Sequence, residues 1–140
     1  MRRLSGQSLI FEQVLLFGIG VGIFVALFAV FTVYQNYFTS VNLHNQLDEV
    51  KDVVVLKIIK LIEKENVTTH MVVEIPRRIS DEGYEIVLSN NGLDVTSLLT
   101  GVSKSSSLYG LNESYNLTGS VMSIFGRIII YKKENKIILS

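Results

Sequence analysis

Between Val14 and Val33 the chain runs for twenty residues without a charge, and Thr32 is the only polar side chain among them. At about 1.5 Å of rise per residue, a helix of that length matches a hydrocarbon layer about 30 Å thick. Lipid offers backbone amides no partner, so such a run crosses as a helix that satisfies its own hydrogen bonds. The rest of the chain has to be read as something attached to that helix. With 140 residues in all, there is room for one small domain beside it.

Orientation follows from the charges near the span. Arg2 and Arg3 precede it, whereas the first basic residue after it is Lys51, preceded by Asp48 and Glu49. The positive-inside rule puts the amino terminus in the cytoplasm and the remainder outside the cell. A cleaved secretory signal would have an apolar region of about 7–15 residues ending at a small-residue site. Here the run is longer and leads into Tyr34-Gln35-Asn36-Tyr37, an interfacial aromatic girdle. The expected localisation is therefore the cell membrane, single-pass.

Past the span the periodicity changes. Leu43, Leu47, Val50, Val54, Ile58 and Leu61 recur at helical spacing and form one apolar stripe, with Glu49, Asp52, Lys57, Lys60 and Lys64 on the remainder. The sequence thus predicts a long helix over 7–65, transmembrane over about 9–34 and amphipathic over about 43–65. Residues 36–45 permit either continuity or a bend. Residues 66–140 read as an extracellular β domain. Strands are expected at 67–75, ending at Pro76, at 84–88, and after Asn90-Asn91-Gly92 at 93–98. Two more are expected at 126–131 and 136–139, joined by a turn at Lys132–Asn135, while the Gly-, Ser- and Asn-rich segment 101–120 reads as a long surface loop. The fold class is α+β: a small antiparallel sheet of four to five strands whose apolar face the amphipathic helix covers.

Catalytic and metal chemistry find no foothold in the sequence. Cysteine is absent, which removes disulfides, thiolate metal sites and a cysteine nucleophile. His44 and His70 lack the spacing and carboxylate companions that ligation needs. Asp81 and Glu82 beside Arg77 and Arg78 read as a solvated, mutually neutralising turn. Ser105-Ser106-Ser107 has no glycine-framed nucleophile motif around it. Lys and Arg balance Asp and Glu at 13 each, so no basic footprint for nucleic acid exists. No enzyme activity, cofactor, metal or small-molecule substrate is expected.

Glu12 stands at the head of the apolar run, where a carboxylate is costly unless it sits in the headgroups or meets a positive partner. Gly18 and Gly22 form a Gly-x-x-x-Gly pair that Ala26 extends, a line that lets helices approach closely, although membrane helices also tolerate glycine without such a role. Asn66-Val67-Thr68, Asn112-Glu113-Ser114 and Asn116-Leu117-Thr118 are acceptor tripeptides for N-glycans.

Arg2-Arg3-Leu4-Ser5-Gly6-Gln7-Ser8, followed by Glu12 and the apolar run, resembles the start of an archaeal type IV pilin-like precursor with a class III signal. The resemblance covers residues 1–40 closely and the helix-then-sheet order loosely. It implies a leader of residues 1–6 that a prepilin peptidase removes between Gly6 and Gln7. It further implies that Glu12 pairs with a neighbouring subunit's new amino terminus; the family's glutamate usually stands fifth in the mature chain and here would be sixth. The expected function is a major or minor structural subunit of a surface filament, its partners being the membrane, copies of itself or sister subunits, and the peptidase. The competing reading is a singly anchored β-domain binding protein that never polymerises.

Overall fold

The computed structural model describes residues 4–64, 68–108 and 110–140, with side chains from Ser8 onward. Helix α1 spans Leu4–Ile62 and is helical throughout 36–45, where no Gly or Pro interrupts it. Among the described residues it is the one helix long and apolar enough to cross a membrane. The chain divides into two compact units inside this helix, at Ser40/Val41, rather than at the helix's end.

In the first unit the side chains from Ser8 to Ser40 are all exposed. Two of its hydroxyls are satisfied within the helix: Thr32 Oγ1 donates to the Phe28 carbonyl at 2.9 Å and Thr39 Oγ1 to that of Gln35 at 3.0 Å. No polar hydrogen from these threonines is left for lipid to solvate.

The second unit is a seven-stranded sheet with the carboxyl-terminal part of α1 laid on one face. Strands β1 (Thr69–Glu74), β2 (Tyr84–Ser89), β3 (Gly92–Ser97), β4 (Ser103–Ser106), β5 (Asn116–Met122), β6 (Arg127–Lys133) and β7 (Lys136–Leu139) lie in the order β1-β6-β7-β5-β2-β3-β4. Every pairing is antiparallel except β5 with β7. A short helix α2 (Leu111–Ser114) precedes β5, and a single 3₁₀ turn (Ser123–Phe125) precedes β6. The fold is α+β, a long helix followed by a small, mostly antiparallel sheet, as the sequence led us to expect.

The period-two alternation of the strands sends Tyr84, Ile86, Leu88, Leu93, Val95, Leu117, Val121, Ile128, Ile130, Ile137 and Leu139 to the covered face. Against them pack Leu43, Leu47, Val50, Val54, Ile58 and Leu61, the complete predicted stripe, all buried in the same cluster. Each such side chain withdrawn from water stabilises the unit by roughly 1.5–3 kcal/mol before conformational entropy is subtracted.

Three local expectations need correction. The segment 101–120 is not a loop: it holds β4, α2 and most of β5, so the sheet has seven strands rather than four or five. The last hairpin turns at Glu134-Asn135, since β6 continues through Lys133; Glu134 takes the left-handed conformation (φ 49°) that closes it. Nor does Glu82 neutralise the neighbouring arginines. Ser80 and Asp81 form a tight turn with positive φ that pairs Ile79 with Glu82, and the Glu82 carboxylate accepts hydrogen bonds from Ser97 and Thr100 instead.

Candidate functional site

The proposed assembly residues all lie on the first unit's helix. At about 100° per residue, Gly18, Gly22 and Ala26 fall within an arc of about 80°, and Glu12 lies about 40° beyond Ala26. Glu12 is exposed, and a Cβ built on Gly18 or Gly22 would meet nothing within 4 Å. A carboxylate and an open line of small residues therefore share one side of the helix, with Leu15 between them on that side and Phe17, Phe24 and Phe28 on the opposite side, all exposed. Chemically this surface offers close backbone approach and one negative charge.

The remaining candidates are placed less informatively. Gly6 and Gln7 fall in the helical stretch, and their side chains lie outside the described residues, as does Asn66 altogether. Asn112 is exposed on α2. Asn116 is exposed at the start of β5, its backbone N–H donating to the Asn135 carbonyl at 2.7 Å. His70 rests 6.1 Å from the Tyr131 ring, and His44 is half-buried on α1. Among the described residues no three His, Asp or Glu side chains converge as metal ligands.

Sequence reasoning missed the unit's three buried polar residues, Ser97, Ser123 and Lys132. Lys132 points inward from β6, and its ammonium donates to the Ile62 and Lys64 carbonyls at 3.2 and 2.7 Å while lying 5.6 Å from the centre of the Tyr115 ring. A cation thus caps the carbonyl end of α1, where the helix leaves orphan acceptors and partial negative charge. At the other end of the sheet Ser123 Oγ accepts the Tyr84 N–H at 3.0 Å and donates to the Arg77 carbonyl at 2.9 Å. Ser97 Oγ donates to Glu82 and accepts the Thr100 N–H at 3.3 Å.

Electrostatics are concentrated where α1 meets the sheet edge. Lys51 contacts Asp48 at 2.8 Å, and Lys104 of β4 reaches the other Asp48 oxygen at 3.0 Å. Hydrogen bonds from Lys51 and then Lys104 hold the Asp48 carboxyl below the usual carboxylate range; the bond to Asp48 raises Lys51 in turn. Burial pushes the Tyr84 phenol up, and that phenol donates to the Pro76 carbonyl. These groups lock structure; none faces a cleft with a nucleophile and a base. No protein family, curated protein or solved structure matches the chain.

Proposed function

We propose that the protein is a non-catalytic structural subunit of a surface filament of the archaeal type IV pilus kind, anchored in the membrane by α1 before assembly and packed through it afterwards. The observation that carries this reading is the first unit: apolar side chains exposed all round, interrupted on one side by Glu12 and the Gly18–Gly22–Ala26 line. Lipid and sister helices are both suitable neighbours for such a surface, and a sister helix can bring a counter-charge to Glu12. On this reading a prepilin peptidase cuts between Gly6 and Gln7, the second unit lies outside the cell, and exposed Asn112 and Asn116 are available to glycans.

A second reading has its own support. The β unit completes its core with its own helix, Leu43 to Leu61. An anchored module that stays single is built the same way. Glu12→Ala separates the two. In a filament subunit it abolishes or strongly reduces filaments seen by electron microscopy while the protein still reaches the membrane. Sequencing the surface protein's amino terminus adds a second criterion. Unchanged filaments with Glu12→Ala, or a retained Met1–Gly6 leader on the surface protein, would defeat the filament reading.

A further inference from the structure

Strand register gives the second unit two unlike ends. Glu74 pairs with Arg127, Tyr84 with Ser97, Glu85 with Met122 and Thr96 with Ser103, so these residues share one end of the sheet. Asn116 pairs with Lys136, Lys133 with Lys136, Thr69 with Lys132 and Ser89 with Gly92, which places those at the opposite end. The helix runs from the first end to the second. Gln46, Glu49 and Val53 line a groove with Ile75, Pro76 and Arg78, whereas Ile62 and Lys64 meet Lys132. The first end is therefore the one at which the chain enters this unit from residue 40.

That end inverts the usual burial. Ser97 is 2% exposed while Leu99, two residues on, is 80% exposed; Ser123 is 1% exposed while Ile124 and Phe125 are 70% and 67% exposed. In both triplets a hydrogen-bonded serine is driven inward and holds the next two large apolar side chains, Leu98-Leu99 and Ile124-Phe125, out in water. The two prongs adjoin. Leu98, Met122 and Ile124 line one groove with Arg77, Arg78 and Asp81, and Arg77 borders a second groove beside Phe125 and Arg127. Glu49, Glu74 and Asp81 border these grooves too and equal the three arginines in number, yet among the described residues no carboxylate lies within 4 Å of a guanidinium of these arginines, which leaves the guanidinium groups open to other acceptors. The turns at the opposite end expose Asn90, Asn91, Asn112, Lys133, Glu134 and Asn135 and no large apolar side chain among the described residues.

We infer that this end of the β unit docks on the surface of the bilayer that holds α1, the Leu98-Leu99 and Ile124-Phe125 prongs entering the acyl boundary and Arg77, Arg78 and Arg127 meeting lipid phosphates. Large apolar side chains on rigid turns, flanked by guanidinium groups, are what an interfacial site requires. A bilayer is favoured over other occupants by position: the prongs sit at the end that the chain reaches directly from its apolar span, so the surface is already at high effective concentration. The inference rests on α1 being membrane-anchored and not on polymerisation.

The chain has no tryptophan, so Phe125→Trp in the full-length protein gives a single reporter. In vesicles of phosphatidylcholine and phosphatidylglycerol its emission should be blue-shifted against that of Asn91→Trp at the polar end. Brominated acyl chains should quench it at least twofold and leave Asn91→Trp unchanged. Leu99→Trp should behave like Phe125→Trp and serves where the latter misfolds. The pair Arg77→Glu and Arg78→Glu should remove more than half of the quenching. A protein that floats with the vesicles but whose Phe125→Trp and Leu99→Trp variants are open to iodide and untouched by bromolipid overturns the docking alone. Reporters shielded from iodide yet unquenched by bromolipid, with shielding that rises with protein density, assign the prongs to a second copy and overturn it too. A chain that does not float with vesicles refutes the anchor and the docking together.

Discussion

The two stretches of α1 on either side of Ser40 are made of similar residues and treated oppositely. Leu9 to Phe38 carries leucine, valine, isoleucine and phenylalanine on every side, and all of them are exposed; from Leu43 to Leu61 a stripe at every third or fourth position is wholly buried under the sheet, while Val53, Leu56 and Ile59 off that stripe stay exposed among charges. The difference lies in arrangement rather than in hydrophobicity. A stripe backed by a mixed, partly charged reverse has one dominant apolar face and satisfies that face inside its own chain. A surface apolar all round cannot be covered by a single sheet; it suits an apolar surrounding such as lipid or, on the function proposed above, sister helices.

The sharpest way to break this comparison is to truncate one leucine on each side. Leu47→Ala should lower the β unit's stability by about 2–5 kcal/mol, because the cavity lies in the centre of the core. Leu27→Ala should leave it unchanged. Chemical denaturation of the full chain in detergent, followed by far-ultraviolet circular dichroism of the sheet, measures both. Equal losses would show that the first unit contributes to the core of the second. The converse substitution is Val25→Arg, which should cost about 2.5–3.5 kcal/mol of insertion and appear as a soluble or aggregated fraction on membrane flotation, with the β unit's own stability unaltered.

How far each stretch could be read in advance follows from the same contrast. The helix stripe and strands β1, β2, β3, β6 and β7 were legible because their signals are local: a 3.6-residue period, or β-branched runs closed by turn residues. β4 and β5 were not. Ser103-Lys104-Ser105-Ser106 is an edge strand held by its ladder with β3, and its composition announces nothing. β5 sends only Leu117 and Val121 inward, with Gly119 between them at a positive φ. A side chain at Gly119 would overlap the Leu139 carbonyl of the parallel neighbour, a contact that no local window contains. The proposed assembly residues Glu12, Gly18, Gly22 and Ala26 could be singled out as a pattern because they lie on one helix. The serine anchors and Lys132 depend on partners 15 to 70 residues distant, and were invisible for that reason.

Lys132 ties the helix end to the sheet and offers the next test in size. Lys132→Met keeps most of the stem's packing and removes the donor, leaving the Ile62 and Lys64 carbonyls to find water. The expected loss is about 1–3 kcal/mol. Hydrogen exchange should quicken in the last turns of α1 while amides of the Ser8–Ser40 stretch are unaffected. Uniform change along the helix would mean that the capping cation does not act locally.

The smallest effect expected is electrostatic, and its sign separates it from the packing terms. Asp48 has a lowered pKa through Lys51 and Lys104, so its contribution is complete above its unfolded value near 4 and disappears as pH falls through the still lower folded value. Lys51 is raised by the same contact, so its contribution is complete below about 10.4 and lost as pH rises through the folded value above that. Asp48→Asn should therefore lower the unfolding temperature at pH 7, with the gap from wild type closing below pH 4 and again above about pH 10.4. Salt should narrow the gap at pH 7, since the carboxylate is partly exposed and screened. Leu47→Ala should instead show a gap that neither salt nor pH closes. An Asp48→Asn gap that stays flat from pH 3 to pH 7 would mean that α1 is held to β4 by apolar contact alone.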